Sequence, residues 1–125
     1  MSRIVIDASV LIDATRGHPD AMAFLDAASR EQELWSVTPV RTEVRWSMRP
    51  DERGVVEEVL ASLGWLDVDP ALADRAGALG ARWGSSHGLD VVDAIVAAAT
   101  EFLSADLATL NVRHFPMFPG LRPPY

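Results

Sequence analysis

Short apolar runs alternate with helix-like segments along this chain, and this alternation limits the possible folds more than any other feature. The strand-like runs cover residues 3–7, 34–37, 65–69 and 106–110. The first, RIVID, is rich in β-branched residues, as expected for a strand that is buried on both faces. Strands that alternate with helices form a parallel sheet covered by helices. The sequence therefore predicts a three-layer α/β fold with a central parallel sheet of about four to five strands.

The segments between these runs carry helical spacing and residues that begin or end helices. Proline near the start favours a helix over 19–32, over 38–48 and from residue 70 onward, and Gly17 and Gly64 favour helix ends. The helix that begins at Pro70 is predicted to extend to residue 87, and the remaining helices are predicted over 8–17, 51–64 and 88–100. The tail after residue 110 holds four prolines and predicts a loop with at most one short edge strand. No linker or repeat divides the chain, so we expect one domain over residues 1–125.

Composition excludes several classes of protein. With 49% hydrophobic and 23% charged residues, the chain is typical of globular domains. It has no apolar run long enough to span a membrane, and the apolar start MSRIVIDAS is broken by an aspartate too early for a signal peptide. The absence of cysteine excludes disulfides, a thiol nucleophile and a thiolate metal site. We expect a cytoplasmic protein without membrane contact.

The charge pattern narrows the chemistry further. The formal net charge is −7, and all 11 basic residues are arginine because the chain contains no lysine. Schiff-base chemistry is therefore excluded, and so is a phosphoacceptor receiver domain, which needs a lysine near its last strand. The acidic balance argues against general electrostatic binding of nucleic acid. It remains compatible with a small acidic site that a metal ion neutralises.

Asp93 lies within GLDVVDAIVAAAT (88–100), the most apolar helical segment of the chain. Its helical neighbours, Val96 and Ala97 among them, are apolar, and an ionised carboxylate removed from water is costly unless an opposite charge meets it. The partner of Asp93 is therefore either an arginine or a metal ion. Asp90, one turn earlier, has the position of an ordinary helix N-cap.

Other oxygen-bearing side chains are predicted at the carboxyl ends of strands, where functional groups gather in parallel sheets. Asp7 ends the first strand, although it could simply cap the following helix. Thr109 ends the last strand and Asn111 follows it. Glu43 falls beside Val40 on the inward stripe of its helix, although it could also be a solvated flanking residue.

Together these positions predict one acidic site built from distant segments. Carboxylates brought this close do not all stay ionised without a cation between them, and oxygen ligands without thiolate or imidazole favour Mg²⁺ or Mn²⁺. Such an ion activates water for attack on a phosphate. No two of the three histidines are spaced as a helical metal-binding pair, and we interpret His18 and His87 as surface residues.

The order VIDASVLID, TEV, DAIVAAAT and TLNVRHF resembles the PIN-domain family, in particular the VapC-type toxins of bacterial toxin–antitoxin pairs. The resemblance covers essentially the whole chain and implies a Mg²⁺- or Mn²⁺-dependent endoribonuclease. The first three acids of the family correspond to Asp7, Glu43 and Asp93, which would be catalytic residues and metal ligands. The fourth catalytic position falls on Asn111, a neutral residue where many members have aspartate.

The resemblance also implies supporting residues and partners. Ser9 and Thr109 would support the first aspartate. Independently of the resemblance, the position of Arg113 and His114 beside the acidic rim suggests a contact with the RNA backbone. The expected partners are an RNA substrate, a second copy of the chain in a homodimer, and a VapB-type antitoxin that sends an arginine into the carboxylate site.

Two acids stay outside this scheme, and two other functions stay open. Asp90 is not part of the matched set, and we interpret it as a bystander; the charge of Asp106 in the last predicted strand has no explanation from the sequence. The alternatives are a PIN nuclease that processes RNA without being a toxin, and a catalytically degenerate PIN fold that acts as a binding module. Asn111 keeps the second alternative open.

Overall fold

The strands of the computed structural model, which describes all 125 residues, form one parallel sheet. They are β1 (Ser2–Ile6), β2 (Gln32–Val37), β3 (Gly64–Leu66) and β4 (Asp106–Ala108). Their order across the sheet is β3-β2-β1-β4, and every neighbouring pair is parallel. The predicted α/β class is confirmed, with four strands.

Six helices surround the sheet, and all six were predicted. They are α1 (Ala8–Thr15), α2 (Pro19–Glu31), α3 (Thr38–Ser47), α4 (Arg53–Ala61), α5 (Pro70–His87) and α6 (Val91–Phe102). Two short 3₁₀ turns, Pro50–Glu52 and Val112–His114, precede α4 and follow β4. The tail after β4 contains no strand. No helix is both long enough and apolar enough to span a membrane.

The predicted bounds of all four strands were wrong by one to three residues: β2 begins at Gln32 instead of residue 34, and Gly64 begins β3 instead of ending the preceding helix. Asp7 lies just beyond β1 because its side chain accepts a hydrogen bond from the Ala8 amide and caps α1 instead of continuing the strand. Strand β3 stops at Leu66 because its partner β2 ends at Val37, the residue paired with Leu66, and offers nothing further to pair with. Strand β4 likewise ends at Ala108, one residue before Thr109.

The hydrophobic core is continuous through the molecule. It contains 29 buried hydrophobic residues. Ile4, Val5 and Ile6 of β1 are all buried, so both faces of this central strand are covered. Helices α1 to α4 pack with one another, and α5 packs on α6, which lies against β1 and β2.

Polar side chains at the two ends of the sheet have different surroundings. At the carboxyl end, the buried Ser36 hydroxyl donates a hydrogen bond of 2.7 Å to the Ile6 carbonyl, beside Asp7. At the opposite end, Asp106 is the exposed first residue of β4 and accepts a hydrogen bond of 2.8 Å from the Gln32 side chain. Asp106 is therefore a surface residue remote from the carboxyl edge.

The buried side of α1 is expected to stabilise the fold around the cleft-forming residues. Two valines, one buried and one exposed, provide a matched test. Val10 is 0% exposed and Val91 is 77% exposed, and both lie in the first turn of a helix. Val10→Ala should lower the free energy of unfolding by about 1–3 kcal/mol because it removes buried methyl groups and leaves a cavity. Val91→Ala should change it by less than about 0.5 kcal/mol. Urea denaturation checks both, and equal effects would contradict the assigned packing.

Candidate active site

Asp7 is the most firmly held carboxylate at the carboxyl edge of the sheet. It is 4% exposed. One oxygen accepts from the Ala8 amide at 2.8 Å, and the other accepts from the hydroxyls of Thr109 at 2.7 Å and Ser9 at 3.2 Å. The structure therefore brings both predicted supporting hydroxyls onto Asp7. The capping interpretation also holds, since the same side chain begins α1.

The two hydroxyls also fix the loop that follows β4. Thr109 Oγ1 accepts a hydrogen bond of 3.0 Å from the Asn111 amide, and Ser9 Oγ accepts one of 3.1 Å from the Leu110 amide. Each hydroxyl thus donates to Asp7 and accepts from this loop. The arrangement joins the start of α1 to the segment that carries Asn111.

Asp90 and Asp93 bond reciprocally at the start of α6. The Asp90 carboxylate accepts from the Asp93 amide at 2.8 Å, and the Asp93 carboxylate accepts from the Asp90 amide at 3.3 Å. Gly88, in the left-handed region at φ +69°, ends α5 and turns the chain into this start. The predicted N-cap position of Asp90 is confirmed, and Asp93 is 6% exposed.

His114 is the side-chain partner that Asp93 has in the structure. Its Nδ1 lies 3.0 Å from Asp93 Oδ2. The sequence interpretation expected an arginine or a metal ion and treated His114 only as a contact to RNA, so it missed this pair. Phe115, the next residue, is 1% exposed and anchors the tail in the core, which places His114 over α6.

Glu43 lies at the rim of this site, not on the buried stripe of α3. Val40 and Val44 form that stripe, whereas Glu43 is exposed and has no ion-pair partner. The expectation of an inward position was wrong because the buried stripe of α3 is narrow. Arg45 is two residues from Glu43 and cannot face it along the helix. Arg45 pairs with Glu57 instead.

These side chains share a cleft of about 200 Å³ at the carboxyl edge of the sheet. The residues that line it are Asp7, Ala8, Ser9, Ile12, Glu43, Asp90, Asp93, Asn111 and His114. The predicted acids and Asn111 are thus brought together. Asp90 lines the cleft as well, so its interpretation as a bystander does not describe its position. Arg113 is exposed and is not part of the lining.

Burial and mutual repulsion raise the pKa of three acids in this cleft. For Asp93, burial is the main cause, and Asp90 and Asp7 add to it; the Asp90 amide and His114 oppose it, and the pKa rises to about 6. Burial also raises the pKa of Asp7, against the hydrogen bonds from Thr109, Ala8 and Ser9. Although the Glu43 side chain is exposed, partial loss of its contact with water raises its pKa, and the charges of Asp7, Asp90 and Asp93 raise this pKa further.

The donor set fits a hard divalent cation in its chemistry. Carboxylate and amide oxygens line the cleft and no thiolate is present, which suits Mg²⁺ or Mn²⁺. Negative charges that line one cleft also favour a cation between them. In this structure, no three acidic or histidine side chains lie close enough to one point to hold an ion together. Exposed and unpaired, Glu43 is the acid with the most freedom to complete the set.

Comparison with known proteins assigns the fold to a family. The family model described as PIN domain matches residues 4–117. The chain belongs to the PIN-domain family. It is 38% identical to Ribonuclease VapC19 of Mycobacterium tuberculosis strain H37Rv over 123 residues, which are 97% of this chain and 98% of that protein. Ribonuclease VapC10 of the same strain is 36% identical over 98% of this chain and 92% of its own length. This PIN domain is therefore of the VapC type.

Solved structures share the fold of this PIN domain. A toxin–antitoxin complex from Klebsiella pneumoniae superimposes with a TM-score of 0.81 at 23% identity, covering 98% of both chains. VapBC2 from Rickettsia felis, bound to a DNA fragment of its promoter, gives a TM-score of 0.75 at 18% identity over 95% of both chains. These likenesses support the assigned architecture.

The raised pKa of Asp93 predicts how this residue affects stability with pH. The pKa of Asp93 is raised to about 6 in the folded protein, whereas the ordinary pKa of an aspartate is 3.8. Ionisation of Asp93 therefore weakens the fold as pH rises through this interval. In EDTA at about pH 7.5, Asp93→Asn should raise the free energy of unfolding by about 1–2 kcal/mol, and the gain should vanish below about pH 4.

Urea denaturation across this pH range measures the effect. Asp74→Asn is the matched control, because Asp74 is exposed and has no ion-pair partner. A gain for Asp93→Asn that is the same at both ends of the range would contradict the assigned cause.

Proposed function

We propose that this PIN domain is a Mg²⁺- or Mn²⁺-dependent endoribonuclease and the toxin of a VapBC-type toxin–antitoxin pair. The observation that carries the proposal is the convergence of Asp7, Glu43 and Asp93, from three distant segments, on one cleft. The names of two relatives, similar over nearly the whole chain, support ribonuclease activity.

The acids would act as a set of differently held ligands. Asp7, fixed by three hydrogen bonds, offers a rigid position, and Asp93 is held by the Asp90 amide and His114. Glu43 would close the set from the rim. A divalent ion bound there supplies Lewis-acid chemistry, which makes water a better nucleophile and stabilises charge that develops on the phosphate.

Ser9, Thr109 and Asn111 would tune this set. The two hydroxyls orient Asp7 by donating to one of its oxygens, and such outer contacts strongly affect ligand geometry. Asn111 would serve as a neutral ligand or position a water. It adds no negative charge to a cleft that already holds four acids. This neutral residue favours a single tightly held ion over two.

The expected protein partners belong to the same proposal. Solved structures with this fold include complexes described as toxin–antitoxin and VapBC2, which supports a VapB-type antitoxin. The homodimer stays a prediction. An antitoxin that inserts an arginine between Asp7 and Asp93 would neutralise the same acids that catalysis uses. The net charge of −7 would assist capture of such a basic segment. The cytoplasmic location stays a prediction.

Cleavage of a panel of structured RNAs, transfer RNAs included, tests the proposal. The purified protein should cut at least one of them with Mg²⁺ or Mn²⁺ and none in EDTA. Asp7→Asn and Asp93→Asn should each lower the rate about 100-fold or more, because each removes a charged ligand. Asp74→Asn, a charge loss on an exposed face of α5, should leave the rate unchanged.

Two results would contradict the nuclease. One is an intact RNA panel with every metal, which would favour the degenerate binding module. The other is cutting that persists equally in EDTA and in Asp93→Asn, which would place the chemistry elsewhere. Cleavage of one RNA species without growth arrest when the protein is expressed would favour RNA processing over a toxin.

A further inference from the structure

Trp46 on α3 differs from every other tryptophan of the chain. Its side chain is 88% exposed. The other three, Trp35, Trp65 and Trp83, are partly buried, and an arginine guanidinium lies over the ring of each. No aromatic or cationic side chain covers Trp46. A large aromatic surface left in water is unusual and is typical of a contact made with a partner.

Trp46 lies one turn beyond the acidic cleft. Glu43 lines the cleft, and Trp46 follows it by three residues, about 4.5 Å along the axis of the same helix face. On the neighbouring helix α1, Ile12 lines the cleft and Arg16 follows one turn later. Arg16 Nη2 donates to the carbonyl of Ser47, the residue after Trp46, at 3.5 Å. Arg16 and Trp46 therefore each follow a residue that lines the cleft by about one helical turn.

Two arginines near Trp46 carry positive charge that is available to a ligand. Arg16, which bonds to the carbonyl of the residue after Trp46, and Arg49, three residues beyond Trp46, are exposed and have no carboxylate partner. Four other arginines are held in ion pairs, namely Arg3, Arg30, Arg45 and Arg75. The guanidinium groups of Arg16 and Arg49 are therefore free to bind an anionic ligand. We refer to Arg16, Trp46 and Arg49 as the Trp46 corner.

We propose that the Trp46 corner binds the single-stranded RNA segment next to the bond that is cut. The indole stacks on an unpaired base, and Arg16 and Arg49 contact the flanking phosphates, as aromatic and guanidinium groups do in single-strand recognition. The inference rests on the proposed ribonuclease function and adds a substrate-positioning residue to it. RNA fits better than an apolar protein segment, because the exposed residues near Trp46, such as Thr42, are polar.

Binding of a fluorescein-labelled single-stranded oligoribonucleotide of about 12 nucleotides tests the proposal. Ca²⁺ replaces Mg²⁺, so that a hard cation can occupy the oxygen-lined cleft. Trp46→Ala should raise Kd about 5- to 30-fold, since a stacked base is lost, whereas Trp46→Phe should stay within about threefold. Phe102→Ala is the matched control, because Phe102 is 62% exposed at the opposite end of α6 from Asp93 and should leave Kd unchanged.

Three further readouts separate stacking from a structural role. RNA should quench tryptophan emission of the wild type, and most of this quenching should disappear in Trp46→Phe although binding persists. In Mg²⁺, Trp46→Ala should raise KM for cleavage and leave kcat nearly unchanged. Arg16→Gln should lower the slope of log Kd against log salt by about 0.7, as expected for one phosphate contact on a single strand.

The outcomes distinguish this inference from the proposed function. If the wild type cuts and binds RNA while Trp46→Ala does so with the same Kd and KM, only the Trp46 corner is overturned. If the wild type neither binds nor cuts any RNA, both fail. If Trp46→Ala leaves RNA binding intact but converts a dimer to a monomer in sedimentation, the corner is a protein interface and the RNA assignment is overturned.

Discussion

Repulsion among carboxylates is the constraint on which the rest of this structure depends. Asp7, Asp90, Asp93 and Glu43 line one small cleft. Loss of contact with water, with a further contribution from their charges, raises the pKa of Asp7, Asp93 and Glu43. Ionisation of these acids therefore lowers the stability of the fold near neutral pH. A polypeptide that tolerates such a cost at one place has an energetic reason to bind a cation there.

The scaffold tolerates this repulsion because its acids also serve as structural groups. Asp7 caps α1 and Asp90 caps α6, so backbone amides and the positive ends of helix dipoles offset part of the charge. Ser9 and Thr109 add hydroxyl donors to Asp7, and His114 faces Asp93. Capping and ligand roles, which looked like competing interpretations of Asp7, are compatible because one carboxylate oxygen suffices for the cap.

Much of this fold could be predicted from the sequence, because strand and helix periods are local properties. The alternating runs indicated the parallel sheet, and Asp7, Asp93 and Asn111 fell at its carboxyl edge as expected. The pairing of His114 with Asp93 could not be predicted, since it joins a helix to a proline-rich tail that has no periodicity. Asp90 looked like an ordinary cap from local sequence, and only the approach of β1 and α3 places it on the cleft. The exposure of the Trp46 side chain could not be predicted either, because it depends on whether nearby arginines bond to other residues instead of covering the indole.

The most direct test of this account is the titration of the Asp93 carboxyl carbon by NMR, with and without Mg²⁺. Without metal, the pKa should be raised to about 6. With saturating Mg²⁺, it should fall below the ordinary value of 3.8, because a bound cation favours the ionised form. The same titration curve in both conditions would contradict the account, since Asp93 would then have no cation as a partner and the acidic cleft would need another explanation.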